Sequence, residues 1–210
     1  MNFHRQQDVL DTPRLARTPI TVIGAGAVGS FTTLALAKCG ATDITVWDDD
    51  SVESHNLPNQ WYRLSDLGRP KVNALALLVR EMTGVELKTV QERFQGDGAT
   101  EVTICCVDTM DVRMALWRQL QPRPELYIDA RMGAEVGKVF CVGQFGSWHD
   151  EHLYPSSEAF RAPCTAKATM YCASGLSAFI AAQVANYVSG RETKPLLTVD
   201  FRNGLILEAP

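Results

Sequence analysis

No apolar run in this 210-residue sequence reaches the roughly 18 residues that a membrane-crossing helix needs. There is no basic tract either, and the net charge is −4, which points away from a nucleic-acid binder. The opening residues, MNFHRQQDVLDTPRLARTP, lack a hydrophobic signal core, so a cytoplasmic location is the expectation. The six cysteines (Cys39, Cys105, Cys106, Cys141, Cys164 and Cys172) include no Cys-x-x-Cys pair, which argues against a zinc ribbon. Without a signal sequence a disulfide framework is not expected, and Cys105 and Cys106, inside the apolar run VTICCV, read as small core residues. Repeats and low-complexity tracts are missing as well. What is present is ordinary globular material, 46% apolar and 21% charged, enough for a single domain with a proper core.

The pattern alternates between strand and helix. PITVIGAG is a buried strand ending in glycines, and AVGSFTTLALAKCG is a helix that stops at Gly40. ATDITVWD is a second strand, RPKVNALALLVREMTG a helix with proline in its first turn, and VELKTVQERF a half-exposed strand. EVTICCVD, MDVRMALWRQLQ, ELYIDARMG and EVGKVFCVGQF follow as strand, helix, strand and strand. Residues 146–161 show no period and read as a mobile crossover. AKATMYCASGLSAFIAAQVANYV reads as a long helix, and Asn203-Gly204 between two alternating runs predicts a hairpin. The expected fold is α/β: a Rossmann-like, mainly parallel sheet with helices on both faces and a β-rich C-terminal end. Residues 1–210 form one domain, with a nucleotide-binding half over about 19–130 and a crossover half over about 131–210.

Gly24-Ala25-Gly26-Ala27-Val28-Gly29 matches G-x-G-x-x-G between a strand and a helix, where backbone N–H groups and the helix N-terminus can meet phosphate or ribose. Asp48 lies 19 residues beyond Gly29, at the end of the second strand, where an acid can hold ribose hydroxyls. This motif alone does not separate NAD from ATP, and a nicotinamide-dependent oxidoreductase fits it equally well. The stretch that follows is more specific: the second strand runs into a long polar loop, DDDSVESHNLPNQWYRLSDLGRPK, rather than promptly into a helix.

That stretch resembles the ThiF/MoeB family, relatives of the ubiquitin-activating enzymes. The family's acid-x-acid pair, hydrophobic residue, Asn-Leu-x-Arg-Gln and Gly-x-x-Lys appear as Asp48, Asp50, Val52, Asn56-Leu57, Gln60 and LGRPK ending in Lys71. Asp108 followed by Arg113 is similar to the family's metal-binding aspartate and its trailing arginine, and Arg5 in FHRQQ matches an arginine that a partner subunit inserts into the active site. The resemblance covers residues 3–130 clearly and the rest loosely. It implies ATP-dependent adenylation of the C-terminal glycine of a ubiquitin-fold carrier ending in Gly-Gly, by a homodimer that uses ATP and Mg²⁺. Implied nucleotide-binding residues are Gly24, Gly26, Gly29, Asp48, Asp50, Asn56, Asn59, Gln60 and Lys71; Asp108 is the metal residue; Arg5, Lys71 and Asp108 are catalytic.

The chemistry explains the residue types. A carboxylate attacking a phosphate needs cations and alignment, which Lys71, the helix dipole and an arginine finger supply. One position departs from the family: Asn59 stands where an arginine grips the triphosphate, losing a charge and a bidentate fork. Arg63 and Arg69 are the candidates to compensate; the alternative is a member that binds nucleotide or carrier without turnover. For a transfer cysteine, Cys164 in APCTAK is preferred, since a helix N-terminus and Lys167 would favour its thiolate. Cys172 is expected two turns into the helix and buried. The histidines of HDEH, His149 and His152, read as parts of a solvated loop, and Arg113 as a structural ion-pair partner.

Overall fold

A computed structural model describes residues 1–158 and 168–209; Cys164 and Lys167 lie outside the described residues. After the short helix α1 (Thr12–Arg17), the chain alternates β1 (Ile20–Ile23), α2 (Ala27–Cys39), β2 (Ile44–Trp47), α3 (Lys71–Thr83), β3 (Lys88–Val90), β4 (Val102–Cys105) and α4 (Met110–Gln119). The remainder is β5 (Leu126–Gly133), β6 (Val136–Gly143), α5 (Met170–Val188), β7 (Leu196–Asp200) and β8 (Leu205–Ala209). These strands form one eight-stranded sheet in the order β3-β2-β1-β4-β5-β6-β7-β8. The β3-to-β5 portion is parallel and the β5-to-β8 portion antiparallel, so the β-rich end continues the same sheet.

The period-two alternation of each strand sorts its side chains into two cores. Ile20 and Val22 of β1, Val102 and Ile104 of β4, and Leu126 and Ile128 of β5 face α2, α3 and α5. Ile23, Cys105 and Tyr127, one residue out of phase, face Leu116 and Trp117 of α4. Helix α5 lies against α2, with the Ser177 hydroxyl donating to the Val28 carbonyl at 3.0 Å. Gly40 ends α2 with φ +114°, which a side chain would resist.

Three readings are corrected. Residues Ser147–His152 form a 3-10 helix in which His149 is fully buried, because Trp117, Tyr127, Phe140 and Trp148 enclose its ring. The strand expected in VELKTVQERF shrinks to Lys88–Val90, since β3 pairs only with the three-residue stretch Thr45–Trp47 at the sheet edge. Cys172 sits in the first turn of α5 rather than two turns in, because the helix starts at Met170.

Candidate active site

Strand β1 is followed by a crossover to β2 on one side, while β4 pairs on its other side. The chain therefore has its topological switch point between β1 and β4, where the carboxyl ends of the strands open a crevice. The glycine loop, Asp48 and Asp108 all follow the C-terminal ends of these strands.

The glycines of the loop divide the labour. Gly24 takes φ +95°, and a Cβ there would lie 2.9 Å from the Cys106 carbonyl oxygen. A Cβ on Gly29 would lie 1.8 Å from the Gly24 carbonyl oxygen, so this position lets the helix close onto its own loop. A Cβ on Gly26 would meet nothing within 4 Å among the described residues. Gly26 is also the N-cap of α2 and supplies no side-chain cap, so the first N–H groups of the helix face open space with their partial positive charge.

Asp48 splices β2 to this loop. Its Oδ2 accepts from the Ala25 N–H at 2.6 Å and its Oδ1 from the Asp50 N–H at 2.9 Å. Burial pushes its pKa up, against the pull of the Ala25 N–H and of Lys71. Each oxygen keeps a second acceptor site. The polar loop then folds back over α2. The Trp61 N–H donates to Ser30 Oγ at 3.1 Å, the Tyr62 hydroxyl donates to the Ala25 carbonyl at 2.7 Å, and the Phe31 and Trp61 rings meet edge to face at 5.1 Å. Burial raises the Tyr62 hydroxyl far above the ordinary phenol range, so it stays a donor.

Within that loop Asn56 is buried and accepts from the Glu53 N–H at 2.9 Å, so it shapes the turn. Asn59 Oδ1 and Gln60 Oε1 are buried with no hydrogen-bond partner among the described residues. Orphaned acceptors of this kind are uncommon in a closed protein and suit a site that a ligand completes. Lys71 begins α3; its side chain is 7% exposed and its Nζ lies 2.7 Å from Asp50 Oδ2, whose side chain is 65% exposed. The cation is thus held in place by an acid that is itself free to move.

Asp108 is exposed and has no side-chain partner among the described residues. It does not cap α4: Thr109 does, accepting from the Val112 N–H at 3.4 Å. The carboxylates of Asp48, Asp49 and Asp50 also cluster, but Arg93 pairs with Asp49 at 2.8 Å and Lys71 with Asp50, so cations already offset that group. Arg63 cannot replace the missing arginine, because its guanidinium is committed to Asp66 and Glu81. Arg69 is exposed, 3.8 Å from Asp66.

Arg5 is not brought to this crevice within one chain. Its segment is tied to the far end of α2, where Phe3 packs on Gly40 and Gln6 Nε2 donates to the Cys39 carbonyl at 2.9 Å. A helix of 13 residues spans about 20 Å. Cys172 is enclosed, and burial pushes its thiol up to about 11. Tyr62 escaped sequence reasoning because nothing in its spacing marks it as an anchor; Asp129 left a faint signal, an acid inside the apolar run LYIDARMG.

A model of the ThiF family matches residues 4–203. The chain belongs to the ThiF family. Among curated proteins, this ThiF-family chain is 25% identical over 149 residues to ubiquitin-like modifier-activating enzyme 5 of Branchiostoma floridae, covering 62% of this chain and 37% of that protein. It is 32% identical over 114 residues to tRNA threonylcarbamoyladenosine dehydratase 2 of Saccharomyces cerevisiae, covering 49% of this chain and 26% of that protein. The chain thus spans between about a quarter and two fifths of the length of these relatives. Among solved structures, PaaA matches with a TM-score of 0.77 at 18% identity, covering 94% of this chain and 65% of that one. Escherichia coli MccB with ATP matches with a TM-score of 0.75 at 14% identity, covering 96% and 66%. These two likenesses are of fold, and the Rossmann-like ThiF architecture is common to them.

Proposed function

We propose that this chain is an adenylyltransferase that uses ATP to activate the C-terminal glycine carboxylate of a ubiquitin-fold carrier ending in Gly-Gly. The observation that carries the reading is the convergence, at the carboxyl ends of the parallel strands, of the α2 N-terminus at Gly26, which no described side chain caps, the buried cation of Lys71 and the exposed carboxylate of Asp108. Membership of the ThiF family supports it, as do relatives named for activating a ubiquitin-like modifier and a fold neighbour solved with ATP.

In this reading a carboxylate oxygen of the carrier forms a bond to the α-phosphorus, the bond from that phosphorus to its bridging oxygen breaks, and pyrophosphate leaves. Both reactants are anionic, so the chain's part is charge and alignment. Lys71 and the α2 N–H groups hold phosphate oxygens, the second acceptor sites of Asp48 take ribose hydroxyls, and Asn59 and Gln60 turn their orphaned oxygens to donors of the bound nucleotide. A single exposed carboxylate, Asp108, fits Mg²⁺ held mainly by substrate phosphates, and the ion would supply positive charge against the leaving pyrophosphate. Arg5 acts in trans within a homodimer, and the Cys164 thiolate attacks the carrier's acyl-adenylate carbonyl, forming a thioester as the bond to the phosphate oxygen breaks and AMP leaves. A cytoplasmic setting suits both. The Asn59 substitution favours a second reading, nucleotide and carrier binding without turnover, since Arg63 is not free to compensate.

ATP–pyrophosphate exchange with Mg²⁺ and a panel of Gly-Gly carriers tests the proposal. Carrier-dependent exchange is expected. ATP binding with no exchange for any carrier would leave the second reading.

A further inference from the structure

Under the opposite face of the sheet from α2 lies a buried ionic cluster that the proposed reaction does not use. Its centre is Asp129 of β5, fully buried between Ile128 and Ala130. Arg113 of α4 pairs with Oδ1 of Asp129 and is itself buried. Oδ2 accepts from Arg131 Nε at 2.9 Å and Nη2 at 2.7 Å. His149 Nε2 lies 3.2 Å from the same oxygen, although neither ring nitrogen has a hydrogen-bonded partner among the described residues.

Burying such charges costs several kcal/mol each, and a well-packed apolar set is often as stable or more so. The geometry indicates what the charges do instead. Arg113 Nη2 donates to the Val107 carbonyl at 2.6 Å, and Nη1 to the Cys105 carbonyl at 3.4 Å. These two carbonyls flank Cys106, and Val107 immediately precedes Asp108. The guanidinium therefore grips the backbone of the turn that carries Asp108, while the Asp108 side chain is exposed and bonded to none of the described residues. On the other side, Arg131 Nη1 donates to the His152 carbonyl at 2.8 Å and its guanidinium lies 4.3 Å from the centre of the Phe140 ring. That grip fixes the Ser147–His152 helix, the part of the chain leading toward Cys164.

We propose that Asp129 is a positioning residue: one carboxylate, acting through Arg113 and Arg131, locks the Asp108 turn and the Ser147–His152 helix into a single mechanical unit. Each arginine is a fork with a carbonyl on one tine and Asp129 on another, a geometry that lysine does not reproduce. The catalytic consequence rests on the adenylation reading; the mechanical one does not.

The test uses the full chain carrying Asp129→Asn, Arg113→Lys or Val184→Ala, the last a core truncation on the other face of the sheet that serves as a destabilised control. Amide hydrogen exchange is followed at Cys106 and Leu153, whose N–H groups are hydrogen-bonded to Ile23 and Asp150. Asp129→Asn is expected to speed exchange at both amides by about tenfold more than Val184→Ala does, since loss of the shared carboxylate lowers the local opening free energy at both. Arg113→Lys is expected to act at Cys106 alone, and it decides the matter if Asp129→Asn does not fold. Exchange no faster than in Val184→Ala, or speeding at Leu153 as large as at Cys106 in Arg113→Lys, would overturn the proposal. In pyrophosphate exchange Asp129→Asn should lower kcat with KM for ATP little changed, whereas Val184→Ala leaves both per folded molecule. Wild-type protein without exchange activity would refute adenylation and leave the amide result to judge Asp129.

Discussion

Adding one methyl group at two glycines of the same loop should give opposite outcomes. A Cβ at Gly26 meets nothing within 4 Å among the described residues, and φ there is −77°, so no strain follows. Gly→Ala gains about 0.4–1 kcal/mol from the unfolded chain, while alanine is the poorer N-cap by a comparable amount. The two offset, and stability should stay within about 0.5 kcal/mol of wild type, as for a neutral surface change. At Gly29 the same methyl would sit 1.8 Å from the Gly24 carbonyl oxygen and 3.3 Å from Cys106 Cβ. Backbone must move to admit it, at a cost of about 1–3 kcal/mol or more. For a chain of this size each kcal/mol lowers Tm by about 2–4 °C, so Gly29→Ala should melt about 2–12 °C early while Gly26→Ala melts with wild type. Calorimetric titration with ATP then separates structure from function. Gly26→Ala, stable but with its methyl on the approach to the α2 N-terminus, should bind ATP at least about tenfold more weakly, a loss of about 1.4 kcal/mol. Equal melting shifts for the two variants would refute the division of labour between the glycines. Wild-type ATP affinity in Gly26→Ala would refute the use of that open space by nucleotide.

Four further outcomes are expected. Lys71→Ala removes a cation whose partner Asp50 is largely exposed; melting should change little, but exchange activity should fall by about 10²–10³, as for loss of one transition-state donor. Asn59→Arg should tighten ATP binding or raise the exchange rate, because Arg63 is held by Asp66 and Glu81; no gain in either would mean that Arg69 or another cation already serves. A mixture of Arg5→Ala and Lys71→Ala chains should recover exchange that neither has alone, since one site of a mixed dimer is intact; a mixture as inactive as its parts would remove Arg5 from a shared site. Burial opposes ionisation of Asp129, yet Arg113 holds its carboxyl well below the usual carboxylate range. A depressed folded value means stability present above the unfolded pKa and lost as pH falls beneath it, so acid unfolding should begin below about pH 4. Asp129→Asn, less stable at neutral pH by about 3–5 kcal/mol, should show a shallower acid slope, and an unchanged slope would contradict the assignment.

Local rules made much of this molecule legible in its sequence. Strand residues alternating in apolar character, helices closed by Gly40 and Gly84, and turn residues at Asn203-Gly204 depend on neighbours a few residues away, and the structure follows them. The crevice was legible for a related reason: its parts follow strand ends, and parallel strands bring their carboxyl ends to the same side of the sheet. Other features depended on residues distant in sequence and close in space. His149 reads as a polar loop residue beside Asp150 and Glu151, but four aromatic rings from α4, β5, β6 and its own helix close over it. Arg63 reads as a free cation until Glu81, 18 residues on, is found against it. Asp129 reads as one acid in an apolar strand until Arg113, Arg131 and His149 converge on it. Backbone periodicity is a property of short segments, so the sequence by itself determined the main strands and helices, their order and the end of the sheet at which the crevice opens, but not the Ser147–His152 helix or the short extent of β3. Whether a charge is free or already spent depends on which side chains the folded sheet stacks within a few ångströms of it, and only the tertiary structure decided that.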